Sequence, residues 1–164
     1  MAAFSFDIVS EYDKAEMNNV FAGVLREITN RYDFKGTSAN IEWLDDKKGL
    51  KIAGDNEWQI EAIIDIVRKK LASREQSSKV LDLSRDVHES NLKASKEVPF
   101  REGLDQEKAK KITKLLRDTL PKLKTQIQGE AVRVTSSSKD ELQSAIQFLK
   151  DSEFDFPINF INFR

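Results

Sequence analysis

The order of hydrophobic periodicities constrains this chain more than any single motif: a period-two run, a helical stripe, two further period-two runs and a second helical stripe, and then the series again. In FSFDIV, Phe4, Phe6 and Ile8 share one face and Ser5, Asp7 and Val9 the other, as in a half-buried strand. Met17, Val20, Phe21, Val24, Leu25 and Ile28 then recur at intervals of three and four, which predicts a helix from Lys14 to Arg31. SANIEWL and GLKIAG alternate around Ile41 and Trp43 and around Leu50 and Ile52, with DDKK as the turn between them. Ile60, Ile63, Ile64, Val67 and Leu71 predict a helix over Asn56 to Arg74, with Asp55 as its N-cap.

The second series begins at KASKEVPF, where Val98 and Phe100 share a face. A helix over Asp105 to Asp118 turns Ala109, Ile112, Leu115 and Leu116 inward, and KLKTQIQ pairs with AVRVTS across Gly129-Glu130. Ser138 and Glu141 fit a capping box for a helix carrying Leu142, Ala145, Ile146 and Leu149, and FPINFINF reads as a closing strand. Between the two series, SREQSSKVLDLSRDVHESNLKAS is polar and poorly periodic, and is read as a linker in which VLDL forms at most a short strand.

A series of strand, helix, strand, strand, helix with one further strand describes a four-stranded antiparallel sheet with two helices on one face. Two such series predict an α+β fold of tandem duplicated ferredoxin-like domains, each with one sheet face covered by helices and the other open.

Charge excludes some functions. With 27 basic and 28 acidic residues the chain has no global field for polyanions, so nucleic-acid binding would need local patches. From Leu92 onward there are 14 basic and 11 acidic residues, which makes the second half the better host for an anionic ligand. Without cysteine there is no disulfide, thiolate metal site or cysteine nucleophile; His88 is the single histidine and lies in the presumptive linker. There is no HExxH or GxxxxGKS pattern, so no metal, cofactor or catalytic residue is expected and the chain reads as a non-enzyme. MAAFSFDIVSEYD lacks a basic region followed by a long apolar run, and no membrane span is evident; the expectation is a cytoplasmic protein.

Four blocks carry a specific resemblance: NRYDFKG (Asn30 to Gly36), EKAKKI (Glu107 to Ile112), QIQGEAVRVTSSSKDELQ (Gln126 to Gln143) and FPINFINFR (Phe156 to Arg164). In this order and spacing they resemble the bacterial YajQ family. The resemblance implies a pair of domains similar to RNA-recognition modules, in a cytosolic protein that binds a nucleotide, cyclic di-GMP in some members. It also implies exchanged strands, giving one domain over 13–102, completed by the strand near 93–101, and a second over 1–12 plus 103–164, completed by strand 4–10. Alternation alone cannot distinguish the exchange, because either sheet would accept either strand. The chain departs from the family pattern around Asp86 to Lys96 and at Ser136-Ser137, where glycines are expected.

Candidate ligand residues fall in four places. On the open face of the second sheet, alternation puts Lys124, Gln126, Gln128, Arg133 and Thr135 opposite the helices. Lysine and arginine suit phosphates, and glutamine and arginine suit base edges, although the same residues suit a solvated face. Lys110 and Lys111 belong to a basic helix, and Asn162 and Arg164 to a packed C-terminus in which Phe160 and Phe163 alternate to opposite faces. In NRYDFKG, Tyr32 and Phe34 read as packing anchors, leaving Arg31, Lys35 and Gly36 for a phosphate. Taken with the resemblance, which implies the nucleotide, three readings stand: GTP or cyclic di-GMP with a protein partner such as a transcription regulator, RNA or tRNA on the open sheets, and a protein scaffold without nucleotide.

Overall fold

The computed structural model describes residues 3–164 and divides into two compact units: one runs to Glu11 and resumes over Glu102–Arg164, the other is Tyr12–Arg101. In the 12–101 unit, α1 (Lys14–Asn30) and α2 (Glu57–Ser73) pack on a sheet of β2 (Asn40–Leu44), β3 (Gly49–Gly54), β4 (His88–Ser90) and β5 (Lys93–Pro99) in the order β2-β3-β5-β4. In the other unit, α3 (Gln106–Thr119) and α4 (Lys139–Asp151) cover β1 (Phe4–Val9), β6 (Lys124–Gln128), β7 (Ala131–Ser136) and β8 (Asn159–Ile161) in the order β6-β7-β1-β8. Every pairing is antiparallel.

The N-terminal strand thus pairs with the C-terminal half. β1 lies between β7 and β8, with Phe6 opposite Val134 and Ile8 opposite both Val132 and Phe160, and Phe6, Ile8, Val132 and Val134 are fully buried beneath the helices. Reciprocally, β5 lies beside β3, with Leu50 opposite Val98 and Ala53 opposite Ser95.

Each helix starts where a side chain satisfies its first free amides. Asp13, Asn56, Asp105 and Ser138 accept from the amides of Glu16, Gln59, Lys108 and Glu141. Asn56 rather than Asp55 caps α2, because Ser38 occupies the Asp55 carboxylate through its amide at 3.0 Å and its hydroxyl at 2.6 Å. The capping box at Ser138 is only half formed. Glu141 accepts instead from the Ser136 hydroxyl at 2.7 Å, and that hydroxyl accepts from the Ser138 amide at 3.0 Å. On α3, Ala109, Ile112 and Leu116 face inward as expected, but Thr113 is buried and Leu115 only half-buried.

The stretch read as a linker is structured. Val80 and Leu81 are buried, Leu81 bridges to Phe100, and β4 forms a hairpin with β5 through Asn91 and Leu92, both at positive φ (51° and 63°). No period marks β4 because all three of its residues are exposed at a sheet edge. Tyr32 is 89% exposed and anchors nothing, whereas Phe34 is buried, because a short 3-10 turn, not a strand, follows α1. Among the described residues, no helix is long and apolar enough to cross a membrane.

Candidate functional site

The C-terminus determines what the second sheet presents. After Asp7 pairs with Ile161, Ser5 and Arg164 exchange both backbone hydrogen bonds, at 3.2 and 3.0 Å. One residue of β1, Phe6, therefore opposes two of the terminal segment, Asn162 and Phe163, a β-bulge, with Asn162 as the extra residue at φ 56°. The inserted residue shifts the alternation. Phe160 and Phe163 do not fall on opposite faces: both rings reach Phe6, at centroid distances of 5.7 and 6.0 Å. FPINFINF is accordingly a three-residue strand plus a bulge, not one continuous strand.

On the open face the bulge brings Asn162 to Asp7. The Asn162 amide donates to Asp7 at 2.8 Å and the Arg133 guanidinium donates to the other carboxylate oxygen at 3.0 Å. Asp7 is only 6% exposed, although it lies on the face away from the helices. The Arg133 hydrogen bond holds its carboxyl below the ordinary 3.8; burial opposes this, and the Asn162 bond and the charges of Arg133 and Arg164 add to it. A carboxylate depressed on folding contributes stability above its unfolded pKa, and that contribution is lost as the pH falls through the folded value. Asp7→Asn should therefore lower stability at neutral pH by about 1 kcal/mol, discounted because Arg133 is partly solvated. Its acid unfolding profile below about pH 5 should be flatter than wild type in a chemical denaturation series; parallel profiles would remove Asp7 as the group responsible.

Behind the same terminus is a cavity of about 400 Å³. Four strands are covered by two helices: α3 packs on β6 and β7, and α4 on β7 and β1. The cavity lies where α4 meets β1 and the terminal segment, between Phe4, Phe163, Leu142 and Ile146, with Lys139 and Arg164 also lining it. The Lys139 ammonium is 5.0 Å from the Phe4 ring centroid. Apolar and aromatic walls with two cations suit a flat heterocycle bearing an anionic group.

Of the residues singled out in the sequence, Arg133 and Asn162 converge on Asp7 and Arg164 lines the cavity. Lys124 and Gln126 are exposed on β6, with Gln126 opposite Arg133 and Lys124 opposite Thr135. Lys110 and Lys111 are not part of this face, since α3 packs on the other side of the sheet and both are on its exposed stripe. Arg31, Lys35 and Gly36 belong to the 12–101 unit. Arg31 donates to both oxygens of Asp33 (3.0 and 2.7 Å) and lies 4.6 Å from the Phe34 ring centroid. Gly36, at φ 75°, ends the turn after Phe34. Sequence reasoning missed Asp7, Phe4, Lys139 and Phe163 as site residues. Alternation in FSFDIV already put Asp7 on the open side, but its partners depended on which sheet β1 joins. Among the described residues, no cluster of three or more His, Asp or Glu is arranged to hold a metal ion.

Comparison with known proteins agrees over the whole length. A family model described as nucleotide-binding protein YajQ-like matches residues 4–164. A nucleotide-binding protein of Streptomyces coelicolor is 42% identical over 165 residues, covering 100% of both chains. One of Nocardioides sp. is 41% identical over 165 residues with the same coverage, and one of Pasteurella multocida is 41% identical over 160 residues, 98% of each chain.

Proposed function

The chain belongs to the YajQ-like family, and from that premise we propose that it binds a nucleotide without turning it over. The cavity at Phe163 carries this reading: two aromatic side chains for a base, and Lys139 and Arg164 for a phosphate. At about 400 Å³ it is near the lower end of the roughly 300–1,000 Å³ typical of ligand pockets. One base and its sugar fill such a space, so a cyclic dinucleotide such as cyclic di-GMP would leave its second half outside, exposed to a protein partner such as a transcription regulator. The strand orders support ferredoxin-like domains over 13–102 and over 1–12 plus 103–164. RNA binding on the open sheet is less supported, because Asp7 occupies Arg133 and the central strands offer no ring for stacking there.

Calorimetric titration of the full chain with GTP, GMP and cyclic di-GMP tests the proposal. At least one should bind, and Lys139→Ala and Phe163→Ala should each weaken it about tenfold while Lys124→Ala leaves it unchanged. No heat above dilution at near-millimolar ligand would overturn the reading, as would equal affinity in all three variants.

A further inference from the structure

The 12–101 unit has a second polar face that the motifs did not point to. One row of residues crosses all four of its strands in register: Asn40 is opposite Ala53, Ala53 opposite Ser95, and Ser95 opposite His88. The two central strands contribute the small side chains and the edge strands the larger ones. A row with that profile makes a trough, and the face contains a cavity of about 240 Å³ lined by these residues with Glu42, Lys51 and Lys93. A second cavity of about 290 Å³ also touches Lys51, His88 and Ser95 and extends to Arg85.

Charge decides what the trough suits. Lys51 lies in register between Glu42 and Glu97, and Glu97 also takes Arg85 at 3.3 Å, so the cations of this row are balanced across the strands. A polyphosphate or an RNA strand, which needs several neutralised phosphates, would gain little here. Lys93 is less fully balanced: its register partner on β4 is Ser90, and the Asp55 carboxylate is hydrogen-bonded by the Ser38 amide and hydroxyl. The trough therefore offers one available ammonium, an apolar floor, and amide, imidazole and hydroxyl groups able to meet the edge of a planar ring. Its volume of about 240 Å³ is below the usual range for drug-sized ligands, which favours a single nucleobase, with the sugar and phosphate at the open side, over a dinucleotide.

We infer that this face is a second, separate ligand site that takes a nucleoside monophosphate, with the base over Ala53 between Asn40 and His88 and the phosphate toward Lys93. It does not depend on the cavity at Phe163, which belongs to the other unit.

Titration of the isotopically labelled full chain with AMP, GMP, CMP and UMP, followed by amide NMR shifts, tests the assignment. At least one nucleotide should give saturable shifts on β3, β4 and β5. Ala53→Leu fills the floor from the solvent side and should weaken that binding about tenfold or more; Lys93→Ala should weaken it similarly without altering the floor. Shifts confined to α4 and the C-terminal segment would overturn this site and leave the Phe163 reading standing, and the converse pattern would do the opposite. No saturable shift on the three strands with any of the four nucleotides, or unchanged binding in Lys93→Ala, sinks the inference. A single-stranded RNA that displaces the monophosphate and binds there with a steep salt dependence also overturns it.

Discussion

Phe6→Ala should destabilise the sheet built from the other end of the chain, by about 3–5 kcal/mol. Phe6 is fully buried in β1, opposite Val134 of β7, and its ring meets Phe160 and Phe163. Truncation removes these contacts and opens a cavity that the flanking strands, held by β1 on both sides, cannot readily close. Amide hydrogen exchange locates the effect. Protection should fall in β7, α4 and β8 while β2 and β3 retain theirs. Loss confined to β2 and β3 would show that β1 belongs with the residues that follow it. Val98→Ala supplies the reciprocal case: Val98 is buried opposite Leu50, so exchange should rise in β3, with a smaller loss because less apolar volume is removed.

Gly49→Ala should cost about 1–3 kcal/mol in the 12–101 unit, for a steric reason. Gly49 is buried opposite Pro99, and a Cβ there would lie 2.7 Å from both the Pro99 Cα and the Val98 carbonyl oxygen. Both obstacles are backbone, so the added methyl must push β3 away from β5. Thermal melts give the size of the loss, and faster exchange at Lys51 and Ser95 gives its place; a variant as stable as wild type would show that the strands part without cost. Gly36 offers the control, since a Cβ there meets nothing within 4 Å. Alanine at Gly36 should cost only the roughly 1 kcal/mol of its left-handed backbone.

Much of the fold is legible in the sequence because its signals are local. A period of two or of three and four records which side of an element meets the core, and buried Val20, Val24 and Ile28 or Val132 and Val134 repeat that record in the structure. The edge strand β4 leaves no such record. It has no buried residue, so the polar stretch around it reads as a linker and nothing in the pattern marks His88, which lines the trough. Tyr32 and Phe34 have the spacing of a strand pair, but the chain makes a 3-10 turn there and only Phe34 is buried.

The candidate sites were less legible, because they depend on which distant residues become neighbours. Arg133 and Asn162 were both singled out, but nothing in their spacing shows that they share Asp7, 126 and 155 residues away. The parity of the C-terminus is a similar case. Alternation assigned Phe160 and Phe163 to opposite faces, and the single left-handed residue at Asn162 reversed one of them.

By itself, then, the sequence determined the type and order of the four helices and of every strand but β4, and which face of each helix is apolar, since these follow from side-chain period and capping chemistry within a few turns of chain. Only the tertiary structure decided which sheet receives β1 and which receives β5. Both strands present an equivalent alternation, so hydrophobic burial does not distinguish the two assignments; register, backbone pairing and the Arg133–Asp7 contact do.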